Sequence, residues 1–207
     1  MHDSSLYGGK CIAALYGGAK KRVLDVGGRD VNGSLRQFFT DSEFTCMDME
    51  THSSVDVVCN PGDPFPFDDN YFDLIVSTSC FEHDPIFWMT FLEMSRVVKP
   101  DGIIYINAPS SGPPHYYPGD NWRFYTHAAD SLAYWSYFYY KDKQTKHIVS
   151  VQDKFNLNEP HWNEPHWNDA IMVFKKDSDN NETKKYDVSN LITKGPLYNY
   201  IQLNPSS

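Results

Sequence analysis

The sequence predicts an α/β fold built on a mostly parallel, Rossmann-like doubly wound sheet with helices on both faces. Three observations carry that expectation. Short β-branched runs alternate with helical or loop segments along most of the chain, and parallel strands need such crossovers between them. The run Arg22-Val23-Leu24-Asp25-Val26-Gly27-Gly28 is an apolar strand that delivers an acid and breaks at once into a glycine turn. A nucleotide-binding crevice requires that order, because residues without Cβ let the backbone approach a ligand closely. The next run, Phe44-Thr45-Cys46-Met47-Asp48, again closes on an acid. Its separation from Asp25 is close to the ~20 residues of ribose-binding folds. An adenosine-bearing cofactor follows as the expectation.

The elements fall in order. Strands are expected over 22–26 and 44–48, then over Val55-Asp56-Val57-Val58-Cys59, which Asn60-Pro61-Gly62-Asp63 ends. Residues 49–54 supply less than two helical turns at about 3.6 residues each, so a loop makes that crossover. The next, 61–71, is short and rich in proline, which predicts a trimmed version of the fold. A fourth strand covers 72–77. Asp84-Pro85 reads as an N-cap followed by proline at the first helical position. Phe87, Phe91, Met94 and Val98 then recur at helical spacing until Lys99-Pro100-Asp101-Gly102 stops the helix. A fifth strand covers 103–107. Thr126 can cap a helix carrying Ala129, Leu132 and Trp135 on one face, and late strands are expected near 147–151 and 170–174.

Composition bounds the setting. The chain has 207 residues, 41% of them hydrophobic, enough for one sizeable core but not for two full domains. One domain over 1–176 with a polar linker and tail over 177–207 is the expected organisation. A net charge of −9 argues against a nucleic-acid partner, which clustered Lys and Arg would serve. No apolar run is long enough to span a bilayer, and Met1-His2-Asp3-Ser4-Ser5 carries no basic-then-apolar signal, so the expected location is cytoplasmic. Cys11, Cys46, Cys59 and Cys80 are scattered and read as buried thiols. Asn158-Glu159-Pro160-His161-Trp162 repeats at once as Asn163-Glu164-Pro165-His166-Trp167. Its paired Glu and His are metal-ligand types, yet a tandem slip lengthening a surface loop explains it, and no metal is expected. Residues 175–186 are polar, while Leu197, Tyr198 and Tyr200 restore an apolar stretch that docks on its own domain or forms a homo-oligomer through another subunit.

Several blocks in order carry a family resemblance. They are Leu24-Asp25-Val26-Gly27, Asp48, Pro66-Phe67-Asp68-Asp69-Asn70-Tyr71-Phe72-Asp73-Leu74-Ile75-Val76-Ser77, Phe81-Glu82-His83 and Val97-Val98-Lys99-Pro100-Asp101-Gly102. Together they resemble the motifs of class I S-adenosylmethionine-dependent methyltransferases of the type 11 branch, over 22–135. The resemblance implies a C-terminal antiparallel hairpin including 168–175. The phrase Pro118-Gly119-Asp120-Asn121-Trp122-Arg123-Phe124-Tyr125 is similar to a segment of a bacterial and phage subgroup. The chain departs from the family turn, since Arg29 and Val31 stand at its later glycine positions.

By that resemblance S-adenosylmethionine is the cofactor. Asp48 would accept the ribose hydroxyls, Gly27 and Gly28 would admit the methionine moiety, and Asp25 would order the turn and the amino group. Asp63 would meet the adenine amino group, with Ser77 or Thr78 lining the pocket. Taken alone, Asp25 also reads as a turn-capping acid and Asp63 as an Asx-turn residue. Methyl transfer is an in-line displacement that needs a base only if the acceptor must lose a proton. His83, His115 and Asp120 are the candidates; helix packing for His83 and a plain loop position for His115 are the alternatives. Tyr116, Tyr117, Trp122 and Arg123 read as a lid or as an aromatic cluster over the sheet edge. Residues 4–19 leave at most a reduced N-terminal lid, so 112–122 should roof the site. The acceptor is a small molecule or glycan, with O-methylation of a surface saccharide taken from the subgroup analogy. Two rivals are a non-catalytic protein binding S-adenosylmethionine or S-adenosylhomocysteine, and an NAD-dependent enzyme. The missing GxGxxG turn and the expected antiparallel strand argue against the second.

Overall fold

A computed structural model describes residues 3–157, 168–178, 190 and 192–205. Its frame is a seven-stranded sheet in the order β3-β2-β1-β4-β5-β7-β6. The strands are β1 (Arg22–Val26), β2 (Glu43–Asp48), β3 (Val57–Val58), β4 (Phe72–Thr78), β5 (Val98–Ser111), β6 (Val149–Leu157) and β7 (Asn168–Lys176). The five from β3 to β5 run parallel, and β7 returns antiparallel to both β5 and β6. This is the trimmed, mostly parallel sheet with a closing hairpin that the sequence predicts. No helix joins β2 to β3 or β3 to β4. The third strand shrinks to two residues because Asp56, expected within it, turns its carboxylate back to the Cys46 N–H at 2.7 Å.

Alternation along the strands builds two cores. Leu24, Ile75, Ile104 and Ile106 enter one face, packed under α2 (Phe87–Val97) and α3 (Ala128–Tyr140). Their neighbours Val23, Leu74, Val76, Ile103 and Tyr105 enter the other, under α1 (Asp3–Tyr16) and α4 (Pro196–Leu203). Successive strand residues point to opposite faces, so uninterrupted apolar runs are what a doubly covered sheet needs.

Two helix starts differ from expectation. Helix α2 begins at Phe87 without a side-chain cap. The Asp84 carboxylate instead accepts from Ile86 N (2.8 Å) and Thr90 Oγ1 (2.5 Å), shaping a turn that leaves Pro85 outside the helix. Helix α3 begins at Ala128, its entry closed by the backbone bond from Ala128 N to Tyr125 O rather than by Thr126.

The N-terminal segment is a packed helix rather than a reduced lid. Cys11 and Ile12 are buried in the second core, and a Cβ on Gly8 would stand 2.2 Å from the Tyr105 hydroxyl, so α1 lies flat on the sheet. Helix α4 docks on the same face through Leu197 and Ile201. The buried Asp153 of β6 caps it, accepting from the N–H groups of Gly195, Leu197 and Tyr198. The Asn158–Trp167 repeat lies outside the described residues.

Candidate functional site

A cavity of about 540 Å³ opens at the carboxyl ends of β1, β2 and β4, where ligands bind in open α/β sheets. Gly27, Asp48, Thr78, Glu82, His83 and His115 line it. Its two ends are built differently.

At the β1–β2 end, Gly27 takes a left-handed conformation (φ +72°) and donates to Met47 O at 2.8 Å. A Cβ there would fall 2.3 Å from Cys80 Sγ, so only glycine fits. Asp48 is half-buried, its carboxylate accepting from Arg29 N (3.3 Å) and Glu50 N (3.0 Å). Two carboxylate oxygens offer about four lone-pair sites, so acceptor capacity remains toward the cavity. Arg29, in the place of a family glycine, pairs with Glu50, and both line the cavity.

Four expected contacts fall elsewhere. Gly28 lies behind the cavity wall, where a Cβ would stand 2.5 Å from the Asp25 carboxylate. Asp25 itself is 1% exposed and does not line the cavity; neither of its oxygens has a hydrogen-bond partner among the described residues. Burial pushes its carboxyl up to about 7, with Arg36 opposing and Asp48 adding to the shift. Asp63 is exposed, accepts from Asn60 Nδ2 at 3.0 Å and does not line the cavity, where Asn60 and Cys59 stand instead. Ser77 is 1% exposed and donates to Val26 O at 2.9 Å, tying β4 to β1; Thr78, one residue on, faces the cavity.

At the β4–β5 end, residues 112–122 form the expected roof. Asn121 N and Trp122 N donate to Glu82 O at 2.7 and 3.2 Å, and Asn121 Nδ2 donates to His83 O at 2.8 Å. Tyr117 reaches across to Glu50 Oε1 at 3.4 Å. Beneath lie His83 and His115, their Nε2 atoms 3.1 Å apart. Asp120 stands behind them, its side chain 3% exposed and paired with Arg123, and it does not line the cavity. The Arg123 guanidinium holds its carboxyl down to about 2, against the cost of burial. The base candidates are thereby sorted. His83 and His115 face the cavity, whereas Asp120 holds the loop that carries His115, accepting from the His115 backbone N–H at 3.0 Å.

Glu82 was not among the expected site residues. It is 1% exposed, lines the cavity, and burial pushes its carboxyl up to about 8, with Asp169 and Asp120 adding to the shift. Its signal was present in Phe81-Glu82-His83, an acid in the short turn after β4. Asp169 accepts from Ser4 Oγ (2.5 Å), and Ser5 Oγ donates to Asn107 Oδ1 (3.3 Å), so α1, β5 and β7 meet in a buried polar knot no local pattern announces. Trp122 belongs to a separate open groove of about 640 Å³, walled by Phe87, Trp88, Phe124 and Trp135.

Residues 21–106 match a family model described as a methyltransferase domain. The YcgJ protein of Bacillus subtilis superposes with a TM-score of 0.59 at 13% identity, over 84% of this chain and 99% of that one. This is the Rossmann-like methyltransferase fold. A 1,6-didemethyltoxoflavin-N1-methyltransferase of Burkholderia thailandensis, solved with S-adenosylhomocysteine, gives 0.60 at 15% identity, over 86% and 80% of the chains. The 4+2 cyclase SpnF also gives 0.60, at 14% identity and over 82% and 80%. No curated protein sequence matches the chain. The domain match covers less than half of the chain, and the likeness to solved structures shows the fold; no helix among the described residues is long and apolar enough to cross a membrane.

Proposed function

We propose that the chain transfers a methyl group from S-adenosylmethionine to an acceptor hydroxyl, with a saccharide or glycan end as the acceptor class. The observation that carries the donor half is Asp48 at the carboxyl end of β2, facing the same cavity as the left-handed Gly27. A carboxylate with spare lone pairs suits two ribose hydroxyls, and a Cβ-free turn admits the methionine end. The match to the methyltransferase domain over 21–106 supports that reading. The acceptor half rests on the subgroup resemblance and on the Trp88–Trp122–Trp135 groove, whose aromatic faces suit the apolar faces of sugar rings.

The transferred methyl leaves a sulfonium, and its positive charge disappears in the transition state, so alignment and exclusion of water supply most of the acceleration. Residues 112–122 provide the exclusion. The acceptor proton must go to a group at the β4–β5 end, where His83 and His115 line the cavity.

The chain should bind S-adenosylhomocysteine, and Asp48→Ala should weaken that binding by about 1.5–3 kcal/mol through the loss of hydrogen bonds to a charged acceptor. Titration calorimetry measures it; equal affinity in the variant removes the ribose assignment. Incubation with labelled S-adenosylmethionine and a glycan and metabolite library tests the transfer. SpnF carries a different activity on the same fold, so label transferred to no fraction, despite measured cofactor binding, favours the non-catalytic binding protein.

A further inference from the structure

The two histidines meet edge to face at the cavity, beside a buried carboxyl oxygen that has no hydrogen-bond partner among the described residues. His83 Nδ1 bonds the Gly119 carbonyl oxygen, which can only accept, so the ring proton sits on Nδ1 and Nε2 is a bare lone pair. His115 has its Nδ1 3.4 Å from Asp120 Oδ2, a carboxylate already paired with Arg123, which favours a proton on that nitrogen as well. The two Nε2 atoms nevertheless face each other at 3.1 Å. With the His115 proton on Nε2 the contact is an ordinary N–H···N hydrogen bond; with it on Nδ1 the two Nε2 lone pairs converge, an arrangement that a cation between them would stabilise.

A buried carboxyl group stands beside them. Glu82 Oε1 is 3.7 Å from His83 Nε2, and Glu82 Oε2 has no hydrogen-bond partner among the described residues although the side chain is almost wholly buried and lines the cavity. One donor atom from each of the three residues falls within 4.8 Å of the others. Two nitrogens at about 2.0–2.1 Å from one zinc ion span about 2.9 Å at a right angle and about 3.4 Å at the tetrahedral angle, which brackets the observed separation. The outer contact of His83 also fits, because ligating histidines hand their second N–H to a carbonyl or a carboxylate.

We propose that Glu82, His83 and His115 form a binding site for one divalent first-row transition cation, whose open coordination positions face the cavity. Two imidazoles and one carboxylate suit Zn²⁺, Co²⁺ or Fe²⁺ better than Mg²⁺ or Ca²⁺, which prefer all-oxygen shells. This departs from the expectation of no metal. Binding stands apart from methyl transfer; only the further idea that the cation holds the acceptor oxygen rests on the function proposed above.

The test uses the full chain, free of affinity tags, stripped with a chelator. Zn²⁺ titrated against a chromophoric chelator should fill one site, and Co²⁺ should give visible d–d absorption. His83→Ala and His115→Ala should each weaken Zn²⁺ binding at least 100-fold and Glu82→Gln at least 10-fold, with circular dichroism unchanged. On the unmutated chain, Zn²⁺ should block diethyl pyrocarbonate modification of His83 and His115 while the exposed His52 stays reactive, a readout that does not depend on any variant folding. Zn²⁺ affinity unchanged in folded His83→Ala, or lost in His161→Ala/His166→Ala instead, overturns the site, as does modification of His83 that Zn²⁺ leaves untouched. S-adenosylhomocysteine affinity, measured beside it, reports separately on the methyltransferase reading.

Discussion

The two ends of the cavity use charge in opposite ways. At the β1–β2 end the carboxylate of Asp48 is half-open and held by backbone N–H groups of Arg29 and Glu50, close neighbours in the chain or in the adjoining strand turn. At the β4–β5 end Asp120 and Glu82 are almost wholly buried, and their partners come from separate loops, as when Asn121 N reaches Glu82 O. The first arrangement is a pattern the chain carries locally; the second exists only when the segment after β5 folds back over the segment after β4. A local carboxylate can be replaced with little effect on the frame, whereas a buried and paired one supports the frame and must be broken to be studied.

The largest effect should therefore come from Arg123→Met. It removes the partner of Asp120 and leaves a buried carboxylate without compensation, a change that costs about 3–5 kcal/mol. Chemical denaturation should show that loss, and the Arg123→Met, Asp120→Asn double variant should recover part of it, since the orphaned charge is gone. A loss below about 1 kcal/mol in the single variant would place this pair with ordinary surface ion pairs and erase the contrast between the two ends.

The same contrast explains what could be read in advance. The strands from β1 to β5 were legible because apolar runs interrupted by turn residues encode a doubly covered parallel sheet, and Gly27 and Asp48 because they close two such runs. Asp63 falls outside the cavity because it sits in the turn after β3, where its carboxylate accepts from the Asn60 side chain. Helix α1 was missed as a packed element because Gly8 and Gly9 are poor helix formers in isolation, while tertiary contact with Tyr105 and Leu35 is what makes their small size useful. The His83–His115 contact joins residues 32 positions apart, with α2 and β5 between them. No periodicity in the sequence reports it.

Asp25 sharpens the comparison from the other side, as the one acid at the β1–β2 end that is buried like those at the β4–β5 end yet lacks their partners. Its carboxyl is raised to about 7 from an ordinary 3.8. Between those values the folded chain keeps a proton that the unfolded chain has lost, so this group's contribution to stability is full below about pH 4 and falls as pH rises toward 7. Asp25→Asn, an isostere of the protonated form, should be neutral near pH 4 and stabilising by about 2 kcal/mol at pH 8. Thermal unfolding at the two pH values measures it. Equal stability at both would mean that a partner already compensates the charge.

The smallest expected effect lies on the seam between the two ends, where Ser77 and Thr78 follow each other on β4 and point to opposite faces. Ser77 Oγ donates to Val26 O at 2.9 Å inside the sheet, while Thr78 faces the cavity. Ser77→Ala removes one buried hydrogen bond and should lower stability by about 1 kcal/mol, a shift of about 2–4 °C in Tm for a chain of this size. Its affinity for S-adenosylhomocysteine should stay within about twofold, because the side chain never reaches the ligand space. Thr78→Ala should do the reverse, weakening the ligand several-fold while moving Tm by less than the serine change. Both readouts are needed, since stability alone cannot tell a tether from a wall. If Ser77→Ala weakens the ligand and spares Tm, the strand end is twisted by one residue relative to its place here, and the cavity-facing set along β4 shifts with it, because a one-residue slip exchanges the two faces of a strand.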